Sequence, residues 1–181
     1  MRGNIYTTFG EPADVLIVSD SAIPQPGPGQ VRIRTILSPI HNHDLWTVRG
    51  SYGYKPELPA IGGSEAVGTI DALGDDVDGW QMGDEVVALL AGGGYAEQVI
   101  VPAGQLLHMP DGVEPAVAST LVEVAATVIS NMDHVHLHEG ETILVHGGAG
   151  GIGRGRGADH PVGVLVQGCP HVRDVLVAAA G

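Results

Sequence analysis

Hydrophobic and polar positions alternate with a period of two along most of the first hundred or so residues, the pattern of half-buried strands. Val31, Ile33, Thr35 and Leu37 share one face of a predicted strand, and Arg32 and Arg34 share the other. Asn4 to Thr8 and Val15 to Val18 read as an antiparallel pair across Glu11-Pro12-Ala13-Asp14. Ile23 to Gln30, rich in Pro and Gly, reads as an extended connector. Strand patterns resume at 65–73, 84–90, 95–101 and 105–109, broken by Gly74-Asp75-Asp76 and Gly92-Gly93-Gly94. Short strands with tight turns predict a small all-β barrel or sandwich. Pro39 to Arg49 lacks the alternation, and its Asp44, Leu45 and Val48 suit a short helix or turn.

The period changes at Glu114-Pro115, a helix start with Pro at the first position, after which Val117, Leu121, Val124 and Val128 fall at helical spacing. This helix is expected to end before Asp133, with 133–141 as a polar connector. Thr142 to His146 then reads as a buried strand that breaks into a glycine-rich turn, where Gly148, Gly150 and Gly153 fit G-x-G-x-x-G. In that motif one glycine permits the tight turn, one lets backbone approach a pyrophosphate, and one lets a helix pack on the strand. A plain turn fits the same residues in a chain with 28 Gly. Beyond Gly153 the pattern weakens. Gly155 and Gly157 would each cost a helix about 1 kcal/mol and Pro161 about 3 kcal/mol. Asp174 precedes an apolar run instead of ending a strand, so it is not assigned to a ribose.

At 181 residues with 44% hydrophobic and 16% charged positions, the composition is that of a globular protein. A net charge of −13, with eight basic residues scattered singly, offers no footprint for nucleic acid. A single cysteine, Cys169, excludes an internal disulfide and a Cys-rich zinc site. The first residues lack a signal peptide's apolar centre, and no apolar run reaches about 18 residues, so a soluble cytoplasmic protein that does not engage membrane is expected.

Five stretches in this order, PGPGQVRIR, HNHDLWTVRGSYG, LPAIGGSEAVGTI, MGDEVVALLAGGGYAEQVIVPA and ETILVHGGAGGIG, resemble the medium-chain dehydrogenase/reductase superfamily over residues 1 to 153. The resemblance implies an α+β chain: a GroES-like, mostly antiparallel β-barrel at 1–113, a connecting helix and first Rossmann strand with its glycine turn at 114–153, and an atypical tail at 154–181 that leaves the nucleotide-binding domain incomplete. Zinc-dependent members take ligands at places held here by His41, Ser64 and roughly Glu123. Serine in place of histidine removes a neutral nitrogen ligand, and Ala91 to Ala96 replaces the structural zinc loop. The resemblance therefore implies no zinc and points to the branch similar to NADPH-dependent quinone oxidoreductases.

In that branch hydride passes from NADPH to a quinone or activated alkene, and the protein mainly supplies hydrogen-bond donors. The family's N-x-x-D falls on His41-Asn42-His43-Asp44, so Asp44 aligns, His41 takes the usual Asn place, and Asn42 sits one residue late. Tyr52 matches the aromatic that lines the nicotinamide pocket, Thr127 the helix position facing the cofactor, and Gly148, Gly150, Gly151 and Gly153 the pyrophosphate turn. The same stretches also resemble enoyl-thioester reductases, in which Tyr52 would be the acid. Bland readings stand beside these: His41 and His43 satisfy a turn, Tyr52 is an ordinary tyrosine, and His134, His136 and His138 lie in a solvated loop instead of holding a metal. A non-catalytic GroES-like fragment, or a partner-binding remnant, is the alternative of a different class. Half a nucleotide domain leaves strand edges uncovered, so self-association is expected.

Overall fold

A computed structural model describes residues 1–119 and 122–136 together with two strands, Thr142–His146 and Asp174–Ala178. The chain divides into two compact units, Met1–Val122 and Glu123–Gly181. Two antiparallel sheets build the first unit. One has three strands in the order β2-β1-β4, where β1 is Arg2–Tyr6, β2 Ile17–Asp20 and β4 Ala60–Ile61. The other has five in the order β7-β3-β5-β6-β8, with β3 Gln30–Leu37, β5 Glu65–Leu73, β6 Glu85–Leu89, β7 Gln98–Pro102 and β8 Leu106–His108.

The alternation in sequence becomes two faces of the larger sheet. Val31, Ile33, Ala66, Ile70, Val86, Ala88, Val99, Val101 and Leu106 form the main core. Their neighbours Val67 and Val87 point the opposite way, to a second cluster with Ala118 of α3 (Pro115–Ala118). The predicted face of β3 holds only in its first half: Val31 and Ile33 are fully buried, whereas Leu37 is 39% exposed. Irregular pairing with β5 at Arg32/Ile33 and again at Thr35/Leu37 turns the end of the strand out of the core. Arg32 is not a solvated charge either. It donates to Asp71 of β5 at 2.7 Å and to the Pro24 carbonyl at 3.1 Å, which fastens the Pro-rich connector to the sheet.

Several boundaries differ from the sequence expectation: β1 is Arg2–Tyr6 and not Asn4 to Thr8, and β7 starts at Gln98 and not at Tyr95. Val15 belongs to a one-turn helix, α1 (Pro12–Val15), because Pro12 at its first position presets a helical φ between the first two strands. The predicted long helix is recorded as α3 and then α4 (Val122–His134), and α4 runs on past Asp133 to His134. Residues 120 and 121, including the expected helix position Leu121, lie outside the described residues. The segment Pro115–His134 reaches a mean hydropathy of 1.3, so by length and composition alone it is apolar enough to cross a bilayer, although its unbroken apolar runs are short. Core helices of soluble proteins meet the same criterion, and a single such helix is weak evidence.

In the second unit, β9 (Thr142–His146) pairs in parallel with β10 (Asp174–Ala178), in register from Thr142 opposite Asp174 to His146 opposite Ala178. The apolar run after Asp174 is thus a strand beside the glycine strand, with Asp174 at its start. A parallel pair requires a crossover connection, the arrangement from which Rossmann sheets are built.

Candidate functional site

The second helix, α2 (Asn42–Arg49), carries the candidate cluster at its N-terminus. Asp44 starts it: its Oδ2 accepts the His41 backbone N–H at 2.9 Å, the carboxylate half of a capping box, and an acidic group in the first turn suits the helix dipole. Gly50 ends it in the left-handed conformation with φ of 71°. Arg49 in the last turn forks onto the Glu11 carboxylate at 3.0 Å, tying the helix to α1. That pairing holds the Glu11 carboxyl below its usual range.

Facing α2, the chain leaves β4, crosses Gly62-Gly63 and enters β5 with Ser64 and Glu65. His41 Nε2 lies 2.6 Å from Glu65 Oε2, and Glu65 is only 2% exposed. His43 Nε2 lies 2.9 Å from Ser64 Oγ. The two imidazoles stack with centroids 5.4 Å apart. Because the same His43 nitrogen also faces Asp44 Oδ1 at 3.5 Å, the set is not a Ser-His-Asp relay, which uses both ring nitrogens. Asp44 is 5% exposed and accepts a further hydrogen bond from the Tyr95 hydroxyl at 2.9 Å.

Of the residues singled out in the sequence, the structure thus brings His41 and Asp44 together with His43, Ser64 and Glu65. Asn42 is exposed on the first turn of α2. The Tyr52 ring tilts against His43 with centroids 5.5 Å apart; it is 42% exposed and makes no hydrogen bond among the described residues. Thr127 lies in α4, where its carbonyl accepts from Asn131 at 2.7 Å. Gly148, Gly150, Gly151 and Gly153 lie outside the described residues, as do His138 and Cys169. Tyr95 escaped sequence reasoning, although one signal was available: it follows a run of three glycines, and Ser64 follows a run of two.

Zinc is implied by dehydrogenases of this type, so the ligand set can be tested against it. Ligands on a tetrahedral zinc with bonds near 2.0–2.1 Å stand roughly 3.3 Å apart. His41 and Glu65 are closer, at 2.6 Å, as a direct hydrogen-bonded pair. Ser64 occupies the place of a histidine ligand and is held by His43. Glu123, the remaining place, belongs to the second unit. Of the three places, the first unit therefore supplies one imidazole, from His41, and a carboxylate beside it, from Glu65.

Residues 27–111 match the alcohol dehydrogenase GroES-like domain. The chain is 32% identical over 155 residues to mitochondrial enoyl-[acyl-carrier-protein] reductase of Xenopus tropicalis, covering 84% of this chain and 44% of that protein. Its fold is similar to the crystal structure of the human synaptic vesicle membrane protein VAT-1 homolog-like protein, with a TM-score of 0.83 at 30% identity, over 98% of this chain and 54% of the other. It is also similar to the quinone oxidoreductase of Thermus thermophilus, whose structures include an NADPH complex, with a TM-score of 0.73 at 28% identity, over 84% and 47%. The chain thus spans about half the length of the proteins it matches. Residues 27–111 thus form a GroES-like domain of the alcohol dehydrogenase type, and the chain is similar, over about half their length, to oxidoreductases that include quinone oxidoreductases.

Proposed function

We propose that this chain is part of an NADPH-dependent, zinc-independent oxidoreductase that reduces a quinone or an activated alkene. The observation that carries this reading is the parallel pair β9 and β10: a strand ends at His146, directly before the G-x-G-x-x-G run, in the setting a dinucleotide turn requires. Gly148 to Gly153 would take the pyrophosphate and Thr127 would lie toward the cofactor. Bound NADPH would supply the hydride.

The first unit supports the other half of the reading. A quinone oxygen gaining charge needs donors more than a Lewis acid, and the His41-to-Asp44 turn provides an exposed Asn42 amide and two imidazoles, one held by the buried Glu65 carboxylate and one by the half-buried Ser64 hydroxyl. The zinc-independent part of the reading rests on Ser64, which offers a hydroxyl where a zinc-dependent site would place an imidazole. A second reading, reduction of an enoyl thioester, is favoured by Tyr52, whose exposed ring beside His43 is suited to giving a proton to carbon after hydride addition. The single cysteine suits a reducing, cytoplasmic setting.

The test is the loss of reduced-nicotinamide absorbance with a quinone, an enone and an enoyl thioester. The proposal expects turnover with quinone or enone and little effect of Tyr52→Phe. A loss of about 10²–10⁴-fold in kcat on Tyr52→Phe with the thioester would move the assignment to the enoyl reading. No NADPH oxidation with any acceptor contradicts both.

A further inference from the structure

Tyr95 touches both halves of the cluster. Its backbone N–H donates to the Gly62 carbonyl at 2.9 Å, and its ring lies over the two glycines that precede Ser64. A Cβ at Gly62 would stand 3.1 Å from Tyr95 Cδ2. At Gly63, whose φ is +95°, a Cβ would stand 2.7 Å from the Tyr95 nitrogen and 2.8 Å from Cδ1. The ring can occupy this place only because both residues lack side chains. At its other end the hydroxyl lies 2.9 Å from Asp44 Oδ2 and 3.1 Å from the Pro39 carbonyl. Its single proton serves the carboxylate, the stronger acceptor.

We infer that Tyr95 is a positioning residue, which sets the separation between the His41–His43 turn and the Ser64–Glu65 strand. Ring and hydroxyl have separate tasks. The ring fixes the backbone that presents Ser64 and Glu65. The hydroxyl shares Oδ2 with the His41 N–H and so fixes the carboxylate that organises the start of α2. The glycine run at 92–94 belongs to the same device, since a Cβ at Gly94 would meet the Glu65 carbonyl at 2.6 Å and Ser38 Oγ at 2.8 Å. The two glycine runs are therefore complementary sides of one contact, joining a turn of the barrel to the entry of β5. This inference concerns the arrangement of the side chains and stands apart from the hydride-transfer reading; an inactive chain leaves it intact.

The experiment compares histidine side-chain ¹H–¹⁵N correlation spectra of the full chain, its Tyr95→Phe variant and a core variant, Val101→Ala. Positioning predicts that the His41 and His43 ring signals move in Tyr95→Phe and stay in place in Val101→Ala, with Tyr95→Phe in an Asp44→Ala background adding no further movement. Unchanged ring signals in a folded Tyr95→Phe chain would overturn the inference. Should that variant fail to fold, the wild-type chain decides. Nuclear Overhauser contacts from the Tyr95 ring to both Gly63 and the Asp44 segment are expected, and their absence overturns it.

Discussion

Tyr6 is 1% exposed, with Asp44 and Tyr54 among the charges it senses. Burial raises its phenol above the usual range, and the two neighbours push the same way. The folded state therefore holds this proton to higher pH than the unfolded state does. The associated stability is complete below about pH 10, the ordinary tyrosine value, and is lost as pH rises through the folded-state value. Urea midpoints followed from neutral to alkaline pH should fall more steeply above about pH 10 in the wild type than in Tyr6→Phe. Parallel curves would contradict the burial argument. Residue types in the cluster were legible from the chain alone, because His41, Asp44, Ser64 and Glu65 sit in recognisable stretches. Their pairing was not. The Tyr95–Asp44 bond spans 51 residues, and sequence periodicity reports which face a residue lies on, not which distant side chain it meets. The same limit explains Arg32, which was read only as lying on the polar face of a strand and is bonded to Asp71.

Elements were more legible than residues, since alternation acts locally and repeats. β5 has the expected bounds of Glu65 and Leu73, and α2 occupies most of the one early stretch without alternation. Errors arose where a local device interrupts the period. Pro12 opens a helical turn inside an expected hairpin, and irregular pairing in β3 leaves Leu37 exposed on the face that Val31 and Ile33 bury. That loss of burial along one face gives a direct test within one strand. Ile33→Ala, at a fully buried position, should cost about 2–5 kcal/mol in chemical denaturation. Leu37→Ala, on the same predicted face but 39% exposed, should stay within about 0.5 kcal/mol. Similar losses at both sites would mean that the second half of β3 packs as the first does.

At the scale of the whole molecule, an antiparallel domain is followed along the chain by a strand and a glycine run with the pattern of a nucleotide-binding turn. The sequence motif indicated the chemistry, and the parallel β9–β10 pair supplies a strand context that periodicity did not assign, because the run at 174–178 is too short and too far from its partner to read as a Rossmann strand. Net charge of −13 adds a constraint: an anionic cofactor gains nothing from the overall field, so its binding must rest on local groups such as the amides of the glycine turn. The most direct measurement is an NADPH titration of the purified chain, followed by the fluorescence of bound cofactor. Saturable binding with a dissociation constant of about 1 μM–1 mM is predicted, in the range usual for enzyme substrates. Fluorescence that stays unsaturated and equal to free cofactor throughout that range would contradict the assignment of this chain to NADPH chemistry.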